Sequence, residues 1–188
     1  MQNIYITGTG FWIPEDGLTT NDEVVNSYNT YVDNYNSENA EAISDGSLEA
    51  LAPSSSEFIE KASGIKTRYL YDKDNCLDPN RMKPRTRAEL PDNTSILAEM
   101  GIESAKKAIA NAGITADDID GIILGTSHSA RNYPAIAIEI QEALGVDGYA
   151  YDMLVGCSST TFAISNAYSD IASGLSLIHI SEPTRPSS

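Results

Sequence analysis

Helical and strand patterns alternate through the second half of this sequence, and this alternation limits the fold more than any other feature. The spacing of apolar residues predicts a helix over residues 95–112, a buried strand over Ile119–Thr126 and a second helix over Pro134–Leu144. A strand over Tyr149–Val155 and a helix of small residues over Ser158–Ser173 follow. Strands that alternate with helices build a mainly parallel sheet covered on both faces, so the sequence predicts an α/β fold.

The first half is less regular and contains two polar insertions. Thr20 and Glu23 have capping-box spacing, which predicts a helix that begins near Asn21. The other expected segments are a strand at Asn3–Thr7, a loop-rich insertion at 33–56 with at most one short helix, a helix at Glu57–Ala62 ended by Gly64, an extended segment at 65–71 and a polar loop at 72–93.

The last fourteen residues, 175–188, do not continue the α/β pattern. They stop the preceding helix and are expected to add no strand to the sheet. They resemble the translation of a DNA-sequencing adapter, which would make the native domain 1–174, and the alternative is a genuine irregular tail. His179 carries no chemistry under the first interpretation.

Charge and cysteine content narrow the classes of function. The net charge is −15, which argues against nucleic-acid binding, because such binding needs basic surface. No apolar run approaches the length of a membrane span and no signal peptide is recognised, so no membrane association is expected. The two cysteines, Cys76 and Cys157, cannot form a disulfide framework, which favours the reducing cytoplasm.

Cys157 is the residue most strongly associated with chemistry. It lies in Gly156-Cys157-Ser158-Ser159, between a predicted strand and a predicted helix. The free amides and the dipole at a helix N-terminus favour thiolate over thiol, and the thiolate is the form that attacks thioesters. Gly156 would let a substrate approach the sulfur, and the Cys157 amide could hold an oxyanion. The alternative is a buried structural cysteine. Cys76 lies in the polar loop and is interpreted as a residue that is incidental to function.

Five segments in order resemble the β-ketoacyl-acyl-carrier-protein synthase III family, whose members are condensing enzymes with the thiolase fold. The segments are Ile6–Gly10, Phe58–Arg68, Arg81–Arg85, Tyr133–Glu139 and Asp152–Ser159. Within the family the sequence is most similar to the long-insertion β-ketodecanoyl-acyl-carrier-protein synthase branch. The resemblance covers residues 1–174 and implies the N-terminal half of a thiolase-like αβαβα sandwich with a mainly parallel mixed sheet.

The resemblance also implies a ping-pong condensation in fatty acid synthesis. An acyl group passes from acyl-CoA to Cys157, and malonyl-acyl-carrier protein then decarboxylates and attacks the thioester. Coenzyme A enters as a thioester substrate, and neither a cofactor nor a metal is expected. A homodimer is expected, and the fragment alone is expected to be inactive, because the family's assisting His and Asn come from the second half. His128 does not match that His and is interpreted as a loop or interface residue.

The substrate-binding residues are carried over from the family one by one. Tyr133 matches an aromatic residue that bounds the acyl pocket of the dimer partner, and the alternative is plain interface packing. Phe58 falls where short-chain members have a tryptophan that stacks on the adenine of coenzyme A, and it could instead be a core residue. Ala62 replaces an arginine that contacts coenzyme A in those members, so the primer donor is left open.

A cluster of basic residues could supply the missing cationic contacts. Arg81 and Arg85, with Lys83 and Arg87, lie in the polar loop that precedes the long helix. Such a cluster could bind the phosphates of coenzyme A or the acidic surface of a carrier protein. The alternative is a solvated loop whose charges offset nearby acids.

Two other functions stay open at this point. One is a thiolase-fold acyltransferase of secondary metabolism that uses the same cysteine on another acceptor. The other is a non-catalytic subunit in which Cys157 only packs.

Overall fold

The computed structural model describes residues 3–85, 95–176 and 178–183. These residues form two compact units. One, called here the sheet unit, comprises residues 3–12 and the described residues from 95 onward. The other, called the helical unit, comprises residues 13–85.

A three-stranded parallel sheet forms the centre of the sheet unit. Its middle strand is β3 (Gly121–Thr126), which pairs with β4 (Tyr149–Leu154) on one edge and with β5 (His179–Pro183) on the other. All three strands run in the same direction, and Thr126 lies opposite Leu154 where β3 and β4 end. This mixed α/β architecture with a parallel sheet confirms the predicted fold class.

Helices cover both faces of β3, and every residue of this strand is buried. Ile122 and Leu124 pack in the core with α5 (Ile96–Ala112) and α6 (Ile136–Leu144). Side chains alternate along a strand, so Gly125 faces the opposite side, where it touches the first residue of α7 (Ser159–Ser173). The continuous apolar run of the sequence reflects this two-sided burial.

A glycine follows the last residue of each of these helices, at the positions that the sequence predicts. Gly113, Gly145 and Gly174 follow α5, α6 and α7 with φ values of 69°, 70° and 77°. That left-handed conformation costs glycine little and closes the last turn of a helix. The helix predicted to begin at Pro134 begins two residues later, at Ile136.

The strand predicted at Asn3–Thr7 is wrong, because this segment is irregular in the structure. Both edges of β3 are already paired, so the segment has no place beside it. It leads instead into a stretch that lies against α5. A side chain at Gly8 or Gly10 would overlap the backbone oxygens of Ala108 and Ser104. The two glycines therefore permit the close approach.

The expectation that residues 175–188 add no strand is also wrong, because β5 extends the sheet with His179–Pro183. The chain just before it is fixed by Asp120. The Asp120 carboxylate accepts hydrogen bonds from the Ser176 hydroxyl (3.2 Å) and the Ile178 amide (3.3 Å), and the Asp120 amide donates to the Ile178 carbonyl (3.0 Å). Residues 177 and 184–188 lie outside the described part of the chain.

In the helical unit, α1 (Asn21–Glu38) begins at the predicted capping box. The Thr20 hydroxyl accepts the Glu23 amide, and the Glu23 carboxylate accepts the Thr20 amide (2.7 Å). Lys73 approaches the same carboxylate at 2.6 Å. The hydrogen bond from Lys73, followed by those from Thr20, lowers the pKa of Glu23 to about 2.

The insertion predicted at 33–56 is more helical than expected, because α1 continues to Glu38 and α2 (Ala40–Ser44) follows. Val32 is buried in α1. Asn29 exchanges two hydrogen bonds with the backbone of Ser54, and Asn36 exchanges two with that of Leu51. Polar residues that suggest a loop therefore form a helix face that binds the following segment.

The rest of the helical unit is built from short elements. The pair β1 (Leu18–Thr20) and β2 (Thr67–Tyr69) is antiparallel, which confirms the extended segment predicted at 65–71. Helix α3 (Ser56–Ser63) ends at Gly64, as predicted. A further helix, α4 (Lys73–Leu77), lies inside the predicted polar loop, and residues 86–94 of that loop are outside the described part. Among the described helices, none has the length and apolar character needed to cross a bilayer.

Candidate active site

Cys157 lies on a short turn that joins the end of β4 to the start of α7. The turn, Gly156–Ser158, is a single 3-10 turn, and the Cys157 thiol is free and exposed. Gly156 has φ +60°, a conformation that L side chains rarely adopt. Apart from Gly156 and its two neighbours in the chain, no atom of the described residues lies within 4 Å of the position that a Cβ of Gly156 would occupy. The thiol is therefore accessible beside open space, unlike a buried packing cysteine.

The backbone after Cys157 enters a 15-residue helix, α7. The first amides of a helix have no intrahelical acceptor, and its dipole is positive at this end. The Ser158 side chain caps no amide of α7, while its own amide donates to the Val155 carbonyl at 3.3 Å. These free amides can stabilise an oxyanion that forms on a substrate carbonyl beside the thiol.

Ser159 joins the turn to the neighbouring strand. Its hydroxyl accepts the Val155 amide at 3.1 Å and lies 2.8 Å from the Thr126 carbonyl and 2.9 Å from the Gly156 carbonyl. The residue is 3% exposed. Nothing in the sequence identifies Thr126, 33 positions earlier, as a partner of Ser159.

The loop that joins β3 to α6 starts at the same sheet edge, because parallel strands end side by side. Asp152 of β4 fixes this loop. Its carboxylate accepts the amides of Ile136 (2.9 Å) and Ala137 (2.8 Å), and it lies 3.4 Å from the Ser129 hydroxyl. A carboxylate at the N-terminus of a helix satisfies free amides and complements the helix dipole. Asp152 therefore ties α6 to the strand that leads to Cys157.

Tyr133 belongs to this loop, and its side chain is 87% exposed. The backbone around it is fixed, because Arg131 donates to the Pro134 carbonyl at 2.7 Å and forms an ion pair with Glu139. The other oxygen of Glu139 accepts the Ser95 amide at 3.0 Å. A firmly held loop thus presents a tyrosine that packs little within its own chain. His128 is exposed in the same loop.

Phe58 is also exposed, by 66%, so it is not a core residue of the helical unit. It borders an open groove of about 750 Å³ on that unit. The groove is mainly apolar, and its lining includes Val24, Val25, Tyr28, Pro53, Phe58, Ile59 and Met82. Such a surface can accept the face of an aromatic ring or an alkyl chain. Ala62 is exposed as well and adds no charge.

The two predicted cationic contacts, Arg81 and Arg85, are engaged within their own unit. Arg81 donates to the carbonyls of Lys83 (3.0 Å) and Pro84 (3.1 Å). Arg85 pairs with Asp72 at 3.0 Å and also donates its backbone amide to that carboxylate. Lys83 is exposed, and Arg87 lies outside the described residues.

Asp72 and Cys76 show how charges are balanced in this loop. Burial alone would raise the pKa of Asp72, but hydrogen bonds from Asn75 and Arg85 and the Arg85 charge hold it below its usual value. Burial and the Asp72 charge raise the pKa of the Cys76 thiol, which lies 3.4 Å from the Tyr71 carbonyl. Cys76 is thus a protected thiol, in contrast to Cys157.

Within the described residues, no group of three or more His, Cys, Asp or Glu side chains could hold a metal ion.

Comparison with known proteins agrees with the resemblance inferred from the motifs. The chain is 53% identical over 148 residues to a β-ketodecanoyl-[acyl-carrier-protein] synthase of Pseudomonas aeruginosa. It is 31% identical over 129 residues to β-ketoacyl-[acyl-carrier-protein] synthase III of Rhizobium rhizogenes. The chain belongs to the β-ketoacyl-[acyl-carrier-protein] synthase III family. No family model matches the chain.

The matches cover much of this chain but less than half of each relative. They cover 79% and 68% of this chain, and 42% and 34% of the two relatives. The fold agrees with the crystal structure of 3-oxoacyl-[acyl-carrier-protein] synthase III from Aquifex aeolicus, with a TM-score of 0.63 and 23% identity over 95% of this chain and 44% of that one. The chain thus has the fold of part of a β-ketoacyl synthase III.

Proposed function

We propose that the protein to which this chain belongs is a condensing enzyme of fatty acid synthesis, with Cys157 as its nucleophile. The observation that carries the proposal is the exposed Cys157 thiol at the N-terminal end of α7, beside the open space at Gly156. Family membership supports it, because the relatives are named for the β-ketoacyl-acyl-carrier-protein products of such a reaction.

The proposed reaction has two stages. In the first, the Cys157 thiolate attacks the carbonyl of an acyl-CoA, and the bond from carbon to the coenzyme A sulfur breaks. Coenzyme A leaves as a thiolate and takes up one proton. The amides at the start of α7 are placed to stabilise the oxyanion that forms in this attack.

In the second stage, malonyl-acyl-carrier protein loses CO₂, and the electron pair of the broken carbon–carbon bond forms a carbanion equivalent. This carbon attacks the acyl-Cys157 thioester. The Cys157 thiolate leaves, and β-ketoacyl-acyl-carrier protein is the product. The groups that assist decarboxylation are not assigned to residues of this chain, so the chain alone is expected to be inactive in condensation, and only the first stage, the acylation of Cys157, is tested on it.

The other sequence-derived roles belong to the same proposal. Tyr133 limits the acyl pocket of a dimer partner, which its 87% exposure supports. Phe58 offers its exposed ring to the adenine of coenzyme A. Arg81 and Arg85 bind the phosphates of coenzyme A or the carrier protein in competition with the loop carbonyls and the Asp72 carboxylate that they contact. Coenzyme A acts as a substrate thioester without a further cofactor, and the two free cysteines support a cytoplasmic location.

The first test measures the reactivity of Cys157 in this chain. Iodoacetamide is added at pH 7, and labelling of Cys157 and Cys76 is followed separately by peptide mass spectrometry. We expect Cys157 to react at least about fivefold faster in the folded chain than in the chain unfolded in urea. Cys76 should be slower in the folded chain, because it is partly buried. Equal rates for Cys157 in the two states would overturn its role as a nucleophile.

The second test uses octanoyl-CoA as the acyl donor. The P. aeruginosa relative is named for a β-ketodecanoyl product, and a ten-carbon product made with a two-carbon donor requires an eight-carbon primer. We expect the chain to gain the mass of one octanoyl group at Cys157, and Cys157→Ser to gain none, while Cys76→Ser behaves like the unchanged chain. Acylation elsewhere, or none, would contradict the proposed first stage.

A further inference from the structure

We infer that Ser159 is a positioning residue for Cys157. It holds the nucleophile turn (residues 155–158) in register with the end of β3. The inference rests on the proposed function, because it names a residue that acts through the proposed nucleophile. Ser159 does not have to contact substrate, and its own side chain is 3% exposed.

The first argument is the set of hydrogen bonds around the Ser159 hydroxyl. The oxygen accepts the Val155 amide, and it lies within 3 Å of the carbonyls of both Thr126 and Gly156. A hydroxyl carries one proton, so it donates to one of these carbonyls at a time. One buried oxygen therefore links three backbone groups, two of which belong to the turn and one to the neighbouring strand.

The second argument is the close packing behind Ser159. A Cβ placed on Gly125 would lie 3.1 Å from the Ser159 carbonyl carbon and 3.2 Å from its Cβ. Distances this short show that α7 packs closely over Gly125 and that any side chain at this position would press on Ser159. The hydrogen bonds of the hydroxyl and this close packing thus both hold the first residue of α7 against the end of β3.

These two constraints act on both sides of Cys157. Val155 and Gly156 are held before it and Ser159 is held after it, so only Cys157 and Ser158 lie between the fixed points. The helix amides can stabilise a charge on sulfur, or on a reacting carbonyl oxygen, only if the turn keeps the sulfur near them. Ser159 supplies that constraint through a side chain that the reaction itself does not consume.

The test compares Ser159→Ala with Ser158→Ala. The control removes an exposed hydroxyl from the adjacent residue, one that caps no amide of α7. Each chain is labelled with iodoacetamide at pH 7, at a temperature well below its unfolding midpoint, with Cys76 as the internal reference. We expect Ser159→Ala to slow Cys157 labelling by about two- to fivefold relative to Cys76. Ser158→Ala should leave the ratio unchanged.

Octanoyl-CoA gives a second readout that mere loss of stability would not produce. In Ser159→Ala the maximal rate of Cys157 acylation should fall by about 10- to 100-fold, since small displacements of a nucleophile have effects of this size. The half-saturating concentration of octanoyl-CoA should stay within about twofold. If Ser159 had a purely structural role, its substitution would loosen the turn and leave the rate of Cys157 labelling unchanged or higher.

A second variant decides the matter if Ser159→Ala does not fold. Gly125→Ala keeps every hydroxyl but pushes a methyl group against Ser159, and we expect it to slow Cys157 labelling in the same direction. Labelling and acylation equal to those of Ser158→Ala, in every variant that folds, would overturn the positioning role. If Cys157 of the unchanged chain reacts no faster than in urea, the proposed function fails first, and the positioning role falls with it.

Discussion

Removal of the Asp152 carboxylate should destabilise the sheet unit more than an ordinary surface substitution. This carboxylate accepts two amide hydrogen bonds, from Ile136 at 2.9 Å and from Ala137 at 2.8 Å. Both donor residues are fully buried, with 0% exposure, so little water can replace a lost acceptor. Ala135, the residue that precedes α6, makes no side-chain cap hydrogen bond, so the Asp152 carboxylate takes the place of a local cap.

The expected magnitude follows from these two bonds. A hydrogen bond to a charged group contributes about 1.5–3 kcal/mol, so the loss of two such bonds in Asp152→Ala should lower the free energy of unfolding by about 3–6 kcal/mol. Asp152→Asn keeps one acceptor oxygen and loses the charge at the helix N-terminus, which should cost about 1.5–3 kcal/mol. These losses are large beside the total stability of a domain, about 5–15 kcal/mol.

Urea unfolding at pH 7, followed by the fluorescence of Trp12, measures this effect. Trp12 is the only tryptophan of the chain and belongs to the sheet unit. Asp147→Asn is the matched control, because Asp147 is exposed and the substitution removes the same charge. We expect this control to stay within about 0.5 kcal/mol of the unchanged chain. Equal stabilities of Asp152→Ala and Asp147→Asn would refute the capping argument.

Three further predictions concern the other contacts. The pKa of Glu23 is about 2 in the folded chain, so its contribution to stability is present above about pH 4.5 and is lost as the pH falls toward 2. Glu23→Gln should remove this part of the pH dependence of the urea midpoint, measured by circular dichroism. Gly10→Ala should cost about 1–3 kcal/mol, seen in Trp12 fluorescence, because the methyl group meets the Ser104 carbonyl. Arg85→Ala should cost about 1 kcal/mol at pH 7, since Asp72 loses its cation, and an unchanged urea midpoint would contradict this.

The elements that could be predicted are those whose signals are local in the sequence. The capping box at Thr20 and Glu23 marks the start of α1, and glycines that follow the last apolar residue mark the ends of α3, α5, α6 and α7. The apolar run of β3 has no polar alternation, which is what burial on both faces requires. Each of these signals depends on residues within a few positions of one another.

The predictions that failed depend on pairing between distant segments. Asn3–Thr7 has a good strand composition, but it pairs with none of the described strands: β4 and β5 take both edges of β3, and the outer edges of β4 and β5 have no partner. His179–Pro183 has a poor strand composition, with a proline at its end, and nevertheless pairs with β3 along its length. Strand composition therefore indicates a local preference for an extended backbone, while the pairing of a strand depends on its contacts with the other strands and helices of the sheet.

The candidate site shows the same division between local and distant information. Cys157 could be identified because strand, glycine, cysteine and helix follow one another within a few residues. The contacts that hold this part of the chain could not be identified from the sequence. Ser159 bonds to Thr126 and Asp152 bonds to Ile136, and these partners lie 33 and 16 positions away. Here both side chains satisfy backbone groups, so we expect their substitution to change the placement and reactivity of Cys157 without removing a group that takes part in the chemistry.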